Sequence, residues 1–467
     1  MAALHNGFGL GLILCGKARR NAAGNIDSSW GVDNCNRHAI TFQKVCKNDG
    51  LGSCAEHGNI KHFLSPVNIF KIFLITLYKQ KKEKVKMIYL DNAATTYPKP
   101  QSVVNAVGES FAKFGANPGR SGHSFSVKTA IKLASVRENL ANFVNAESPE
   151  NIIFTSGCTE ALNLAILGSV VKGGHIICTS NDHNSTLRPI YELEKRGDVE
   201  VSVASPAQND KLRLADVLPL VKSNTYLICV NHISNVDGLE ADIEEIGKFC
   251  FQNCIMFLVD SAQSLGHKKI DMLKSHIDFL AIAGHKGLYG PMGVGALAIS
   301  SKTKFSPIKF GGTGTNSIST IQPNDIPEGF ESGTLPMPNI VGLDAGINFV
   351  RANFEKIVHK IDDFSTLLNY ELSNIDGVKV FTHPDNANGV IAFNVGDMPS
   401  SDVANLLDER FGIMVRSGLQ CAPLKHKHLG TVEQGVVRAS ISYFTTFAEV
   451  QKFLKAVRLI SRMGRGG

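Results

Sequence analysis

From Asn151 to Ser300, short apolar runs rich in β-branched residues alternate with longer stretches whose apolar positions recur at helical spacing. The runs are NIIFTS (151–156), HIICTS (175–180), EVSVAS (200–205), YLICVNHI (226–233), IMFLVDSA (255–262), DFLAIAG (278–284) and GALAIS (295–300). Between them lie TEALNLAILGSVV, STLRPIYELEKRG, LADVLPLVKS and ADIEEIGKFCFQNC, each with a helical period. A strand that is apolar along its whole length needs cover on both faces. The alternation therefore predicts a mostly parallel, seven-stranded sheet with helices on both sides, an α/β unit over residues 105–345.

Beyond residue 345 the texture changes. GINFVRANFEKIVHKIDDFSTLLNYELSNI reads as helix, and GVIAFNV, SDVANLLDERFG, IMVRSG, VVRASIS and FAEVQKFLKAVRLI follow as mixed strands and helices. This predicts a smaller α+β domain ending near residue 461, with 462–467 as a tail. Residues 1–86 carry neither period and hold the single Trp30. Their apolar run at 63–78 is broken by Pro66 and Lys71 and is shorter than the roughly 20 residues of a membrane-spanning helix. The patch GFGLGLILCG lacks the basic start and small-residue cleavage pattern of a secretory signal. We read 1–86 as a poorly organised extension, dispensable or read from an upstream start, rather than as a targeting or anchoring segment.

Composition narrows the class without choosing a function. A chain of 467 residues with 43% hydrophobic and 19% charged residues is neither disordered, collagenous nor multi-span. The formal charge of +6 invites a nucleic-acid reading until the charges are placed. Residues 1–86 hold 13 of the 48 lysines and arginines against 5 of the 42 acidic residues, leaving 35 against 37 in the rest. The body is near neutral and offers no basic stripe to a phosphate backbone. The ten cysteines are scattered without the spacing of a metal site, which points to free thiols in a reducing, cytoplasmic setting.

Chemistry concentrates at the carboxyl ends of the predicted strands, where open α/β sheets collect ligands. Lys286 follows DFLAIA and opens into the tight, Gly-rich turn GHKGLYGPMGVG. Alone it is more readily a solvated lysine. Asp260 ends another apolar strand, where a carboxylate is costly unless it meets a cation or a hydrogen-bond donor. The pair fits pyridoxal phosphate, which needs a lysine for its aldehyde and a carboxylate for its ring nitrogen. TSGCTEALN turns a strand through Gly157 into a helix, so the N–H groups near Cys158 and Thr159 form an anion site, or simply a well-formed turn.

In order along residues 87–461, MIYLDNAATTYPKP, NPGRSGH, TSGCTEALN, SNDHNS, NHISNVDG, VDSAQS, AGHKGLYGPMGVG, FGGTG, FESGT, RSGLQCAPL and VRASISYF resemble the class V aminotransferase-like pyridoxal phosphate enzymes. Within them, the resemblance is to the cysteine desulfurases with a short active-site loop, the group similar to selenocysteine lyase. It implies the fold type I architecture, a large cofactor domain at 105–345, and a small domain built from 87–104 and 346–461. It also implies a homodimer whose subunits complete each other's sites. Lys286 would bond the cofactor and Asp260 its ring nitrogen. His183 would stack on the ring and carry protons. Asn235 and Gln263 would bind the ring hydroxyl side, and Cys158, Thr159 and His285 the phosphate, with Thr313 reaching the neighbouring subunit. Arg438 would grip the substrate carboxylate, and Asn92 and His123 would stand near the site. Relatives often place a hydroxyl where Ala283 stands, so the phosphate set departs from the family pattern.

Cys421 discriminates among activities. Aminotransferases and simple lyases need no thiol, whereas abstraction of sulfur needs a nucleophile. Arg416, Lys425, His426 and Lys427 are expected to favour its thiolate. The resemblance therefore implies conversion of L-cysteine to L-alanine, with sulfur left on Cys421 as a persulfide for an acceptor in iron–sulfur cluster or thio-cofactor assembly. A selenocysteine lyase acting on L-selenocysteine, an enzyme for another amino acid, and a non-catalytic sulfur-carrier partner of the same fold are the rivals. Neither nucleic acid nor a membrane is expected as a partner.

Overall fold

The computed structural model describes residues 87–119, 121–207, 210–385 and 388–463, so the apolar patches and Trp30 of the first 86 residues lie outside the described residues. After a short first strand, β1 (Ile88–Tyr89), all seven apolar runs become strands: β2 (Ile152–Thr155), β3 (Gly174–Thr179), β4 (Val199–Ala204), β5 (Thr225–Asn231), β6 (Met256–Asp260), β7 (Phe279–Ala283) and β8 (Gly295–Ile299). They form one sheet in the order β2-β8-β7-β6-β5-β3-β4. The pairs from β7 through β6, β5 and β3 to β4 are parallel, while β8 runs antiparallel to both its neighbours. A parallel return needs a crossover of a dozen or more residues. The link from β7 to β8 is shorter than that and carries no helix, so the chain doubles back.

Alternation along each strand divides the side chains between two cores. Phe154, Ile177, Ile228, Phe257, Val259 and Ile282 face one, with the helices Ser124–Val144 and Ile243–Gln252 packed over them. Ile153, Cys178, Leu227, Leu258, Ala281 and Leu297 face the other, under the helices Cys158–Gly168 and Asn184–Lys195. Each full-size apolar side chain buried in this way contributes about 1.5–3 kcal/mol. One expected helix is truncated. LADVLPLVKS forms only the turn Leu214–Val217 followed by a 3-10 turn, because Pro219 has no N–H to continue the ladder.

Two smaller sheets share a third core. β9 (Val378–Val380), β10 (Val390–Val395) and β12 (Val437–Ser440) are antiparallel in the order β12-β10-β9, and β11 (Ile413–Met414) pairs in parallel with β1. Ile88 and Leu90 thereby join Phe393, Leu407, Phe453 and Val457 in one cluster. The 37-residue helix Met337–Ser373 connects the assemblies: Leu343 and Ile347 lie in the first core, Leu368 and Leu372 in the third.

Two buried histidines give the fold a pH dependence. Burial pushes His232 down to about 4 and His267 to about 3. Both rings fold neutral, so below the ordinary histidine range the unfolded chain binds protons that the folded chain refuses. Stability is expected to be intact above about pH 6.5 and to fall as pH drops toward 4, by about 1.4 kcal/mol per pH unit for each ring. Urea denaturation at pH 7 and pH 5 measures this, and His232→Gln/His267→Gln should flatten the slope. An unchanged slope would contradict the assignment.

Candidate active site

The carboxyl ends of β2, β3, β5, β6 and β7 surround a cavity of about 240 Å³. A single water needs about 10–15 Å³ on the same measure, so the space takes a molecule of many atoms. Cys158, Thr159, His183, Asn235, Asp260, Gln263, His285 and Lys286 all line it. Eight residues spread over 129 positions of the sequence are thus brought together by strand order alone.

At one end the helix Cys158–Gly168 begins with no side-chain cap on its first turn. The Thr159 hydroxyl lies 2.8 Å from that of Ser185, which is 2.9 Å from His183 Nδ1. The His183 ring also accepts from Ser185 N at 3.1 Å, capping the next helix and fixing the ring's orientation. Opposite, Asp260 Oδ1 accepts from Ala262 N at 2.9 Å and from the Cys158 thiol at 3.3 Å. Burial, reinforced by Asp260, pushes the Cys158 thiol well up, so it stays protonated and inert.

Burial lowers the Lys286 amine, with Asp260 and Cys158 opposing and the Arg438 and Arg416 cations adding to the shift. His183 is pushed down to about 4 by burial and, after it, by Lys286, Arg416 and Arg438, against the pull of Asp260. His285 falls to about 4 through burial, Lys286 and Lys99. At pH 7 both imidazoles are therefore neutral, and the amine is displaced toward the free-base form that can accept a proton.

The remaining expected residues divide. Arg438 is buried and partly engaged: Nη2 contacts Asp91 Oδ1 at 2.7 Å and Nη1 donates to Asn235 O at 2.8 Å, while Nε has no partner. Cys421 is exposed on a loop whose carbonyl accepts from Asn184 N at 2.7 Å, one residue beyond His183. Asn92 is consumed in structure, donating to Ser440 O at 2.9 Å and accepting from Tyr97 N at 3.2 Å. It lines a smaller neighbouring cavity on another side of Lys286. His123 caps the helix Ser124–Val144 through Ser126 N, and Thr313 is half-buried and bonds Thr315; neither lines the main cavity.

The charges expected around Cys421 are corrected by the structure. Lys425 is buried in an ion pair with Asp237 at 2.7 Å, and His426 is buried and lowered, bonded to Thr431 and Gln420. Neither offers a free cation to the thiol. Arg416, half-exposed beside the site, and Lys427, exposed, remain of the four.

Sequence reasoning missed three contributors. Ser185 joins Thr159 to His183. Asp182 is buried and pushed up to about 8 by burial. Lys99 is lowered to about 8 by burial and donates to His285 O at 2.7 Å. Asp182 and Ser185 flank the singled-out histidine in SNDHNS, and Lys99 sits in YPKP, so neighbourhood in the motif was their available signal.

Pyridoxal phosphate fits this donor set. Asn235 Nδ2 is spent on Gln420 O at 2.8 Å, which leaves its buried Oδ1 unpaired as an acceptor in the wall. His285 Nδ1 is likewise buried without a partner. Unpaired buried polar atoms in a cavity wall require a polar ligand or water. The uncapped helix start and two adjacent hydroxyls suit a phosphate, and Asp260 suits a ring nitrogen.

Comparison with known proteins gives the same direction. The family model described as aminotransferase class-V matches residues 88–453. A probable cysteine desulfurase of Methanothermobacter thermautotrophicus is 36% identical over 384 residues, covering 81% of this chain and 95% of that protein. One from Pyrococcus abyssi is 36% identical over 382 residues, covering 79% and 93%. The apo structure of a cysteine desulfurase from Thermococcus onnurineus superposes with a TM-score of 0.76 at 32% identity, covering 82% of this chain and 98% of that one. With a match of this extent over the very segment that builds the cavity, the chain belongs to the class-V aminotransferase family, where it groups with proteins named cysteine desulfurases.

Proposed function

We propose that the protein is a cysteine desulfurase, taking sulfur from L-cysteine onto Cys421 and releasing L-alanine. The observation that carries this reading is a thiol loop hydrogen-bonded to Asn235 and to the residue after His183, where Asn235 and His183 both line the cavity that holds Lys286 and Asp260. When bound, pyridoxal phosphate supplies an aldehyde for the substrate amine and an electron-withdrawing ring that takes up charge from the substrate carbon. Thr159, Ser185, His285 and the start of the helix Cys158–Gly168 would hold its phosphate, with no hydroxyl contributed at Ala283. Asp260, Asn235 and Gln263 would hold its ring.

The chain's own groups do the rest. Arg438 takes the substrate carboxylate on its unpaired Nε and on Nη2, with Asp91 giving way; this side-on, two-point contact fixes the α-hydrogen toward Lys286. The Lys286 amine, lowered by burial, removes that hydrogen and later returns one. His183, neutral at pH 7, passes protons at the far face. The Cys421 thiolate attacks the substrate sulfur: an S–S bond forms, the carbon–sulfur bond breaks, and its electron pair stays with the carbon fragment, which takes up protons and leaves as L-alanine.

Arg438→Lys is expected to raise KM for L-cysteine about tenfold or more with a smaller fall in kcat, because lysine cannot reproduce the fork. Equal KM for the two proteins would remove Arg438 from the carboxylate.

Phe310, Ile318 and Ile321 are exposed around the turn that carries Thr313, Ile318 almost completely. Apolar exposure of this kind fits contact with a second copy, which would bring Thr313 to the partner's cavity. The cofactor-holding part would be 105–345, and the smaller part 87–104 with 346–461. Six unpaired cysteines among the described residues fit a reducing, cytoplasmic setting. The persulfide would pass to a carrier for iron–sulfur or thio-cofactor assembly. The test is purified protein incubated with L-cysteine, following alanine, sulfide and the visible spectrum together. Alanine and sulfur in equal amounts support the reading, and a colourless protein that produces neither overturns it. L-selenocysteine, assayed in parallel, decides the selenium alternative.

A further inference from the structure

Three segments meet at one buried ammonium. Lys425, just past Cys421, is 1% exposed and contacts Asp237 Oδ2 at 2.7 Å, itself 2% exposed. Its Nζ also donates to Asn181 Oδ1 at 3.0 Å. Asp237 lies in the turn that carries Asn235, and Asn181 in the turn that carries His183. The same loop is tied twice more: Asn235 Nδ2 donates to Gln420 O at 2.8 Å, and Asn184 N to Cys421 O at 2.7 Å.

The loop needs these ties. Gln420 and Cys421 both have left-handed backbone, at φ of +40° and +59°, a region that residues with a side chain occupy rarely and only when the surroundings impose it. Of the tethers, Lys425 is the one that reaches both walls of the site, and it cannot relax outward without leaving Asp237 as a buried, unpaired carboxylate.

We propose that Lys425 is a positioning residue, bolting the Cys421 loop to the His183 and Asn235 turns so that the thiol is held in register with the substrate sulfur rather than carried on a swinging arm. The proposal rests on the desulfurase reading for its kinetic consequence, though not for its structural one.

The test compares wild type, Lys425→Met, and Lys425→Met/Asp237→Asn, the last leaving no unpaired buried charge if the single variant folds poorly. Hydrogen exchange on the isolated proteins is expected to rise about tenfold or more in peptides 416–424 and at Asn184, with β5 and β6 unchanged. In single turnovers with L-cysteine, sulfur appearance on Cys421 should slow about a hundredfold, the cost of a misplacement of order 1 Å. Exchange of the substrate α-hydrogen with solvent should stay within about threefold, since Lys286 keeps its place. Wild-type exchange in the loop, or an equal loss of both rates, overturns the proposal. Absence of sulfur on Cys421 in the wild type would instead overturn the desulfurase reading, while the hydrogen-exchange comparison still decides the role of Lys425.

Discussion

Lys286→Ala is expected to lower alanine formation from L-cysteine by at least about a thousandfold, since loss of a positioned general base alone costs about 10²–10⁴ in rate. The expectation rests on placement. Lys286 is the amine of the main cavity, and burial has already moved it toward the form that accepts a proton. Asp260, Asn235 and the helix Cys158–Gly168 belong to other elements and stay in position, so the variant should still bind pyridoxal phosphate, with an altered visible band. Added small primary amines should restore part of the rate by entering the space that the side chain vacates. Steady-state assay with and without such an amine measures both effects. A rate near that of wild type would place the base elsewhere.

Cys421→Ala should abolish persulfide formation and reduce alanine production at least about a hundredfold, while the visible spectrum and the exchange of the substrate α-hydrogen persist. The two variants therefore fail at different stages: the first before the α-hydrogen moves, the second after. Cys421 is the exposed thiol on the loop tied to Asn184 and Asn235; Cys158, bonded to Asp260, is held protonated by burial and cannot substitute. If Cys421→Ala released sulfide at the wild-type rate, sulfur transfer to this loop would be wrong even though the cofactor chemistry stood.

Much of this was legible in the chain itself. The seven strands announced themselves because a sheet covered on both faces needs unbroken apolar runs, and strand ends then located Asp260, Asn235, His183 and Lys286. Partners distant in sequence were not legible. Lys425 reads as a cation serving the nearby Cys421 thiol, and nothing local reveals that Asp237, 188 positions earlier, waits for it in a buried turn. The same limit hid the Asp91 contact of Arg438. A caps-and-turns reading could have found the capping role of His123, whose neighbours SFSV open a helix, but not its absence from the cavity wall. Ser185 was visible only as a hydroxyl beside a histidine; its bond to Thr159 depends on β2 and β3 running in the same direction, so that both finish at the carboxyl end of the sheet.

The central claim is that sulfur leaves L-cysteine for one particular thiol. The direct measurement is peptide mapping by mass spectrometry of cofactor-loaded protein mixed with L-cysteine and quenched with a thiol-blocking reagent. One added sulfur atom on the peptide that contains Cys421, in step with alanine formed in the first turnover, is the predicted result. Sulfur on Cys158 or Cys254, or alanine formed with no sulfur on the protein at all, would contradict it.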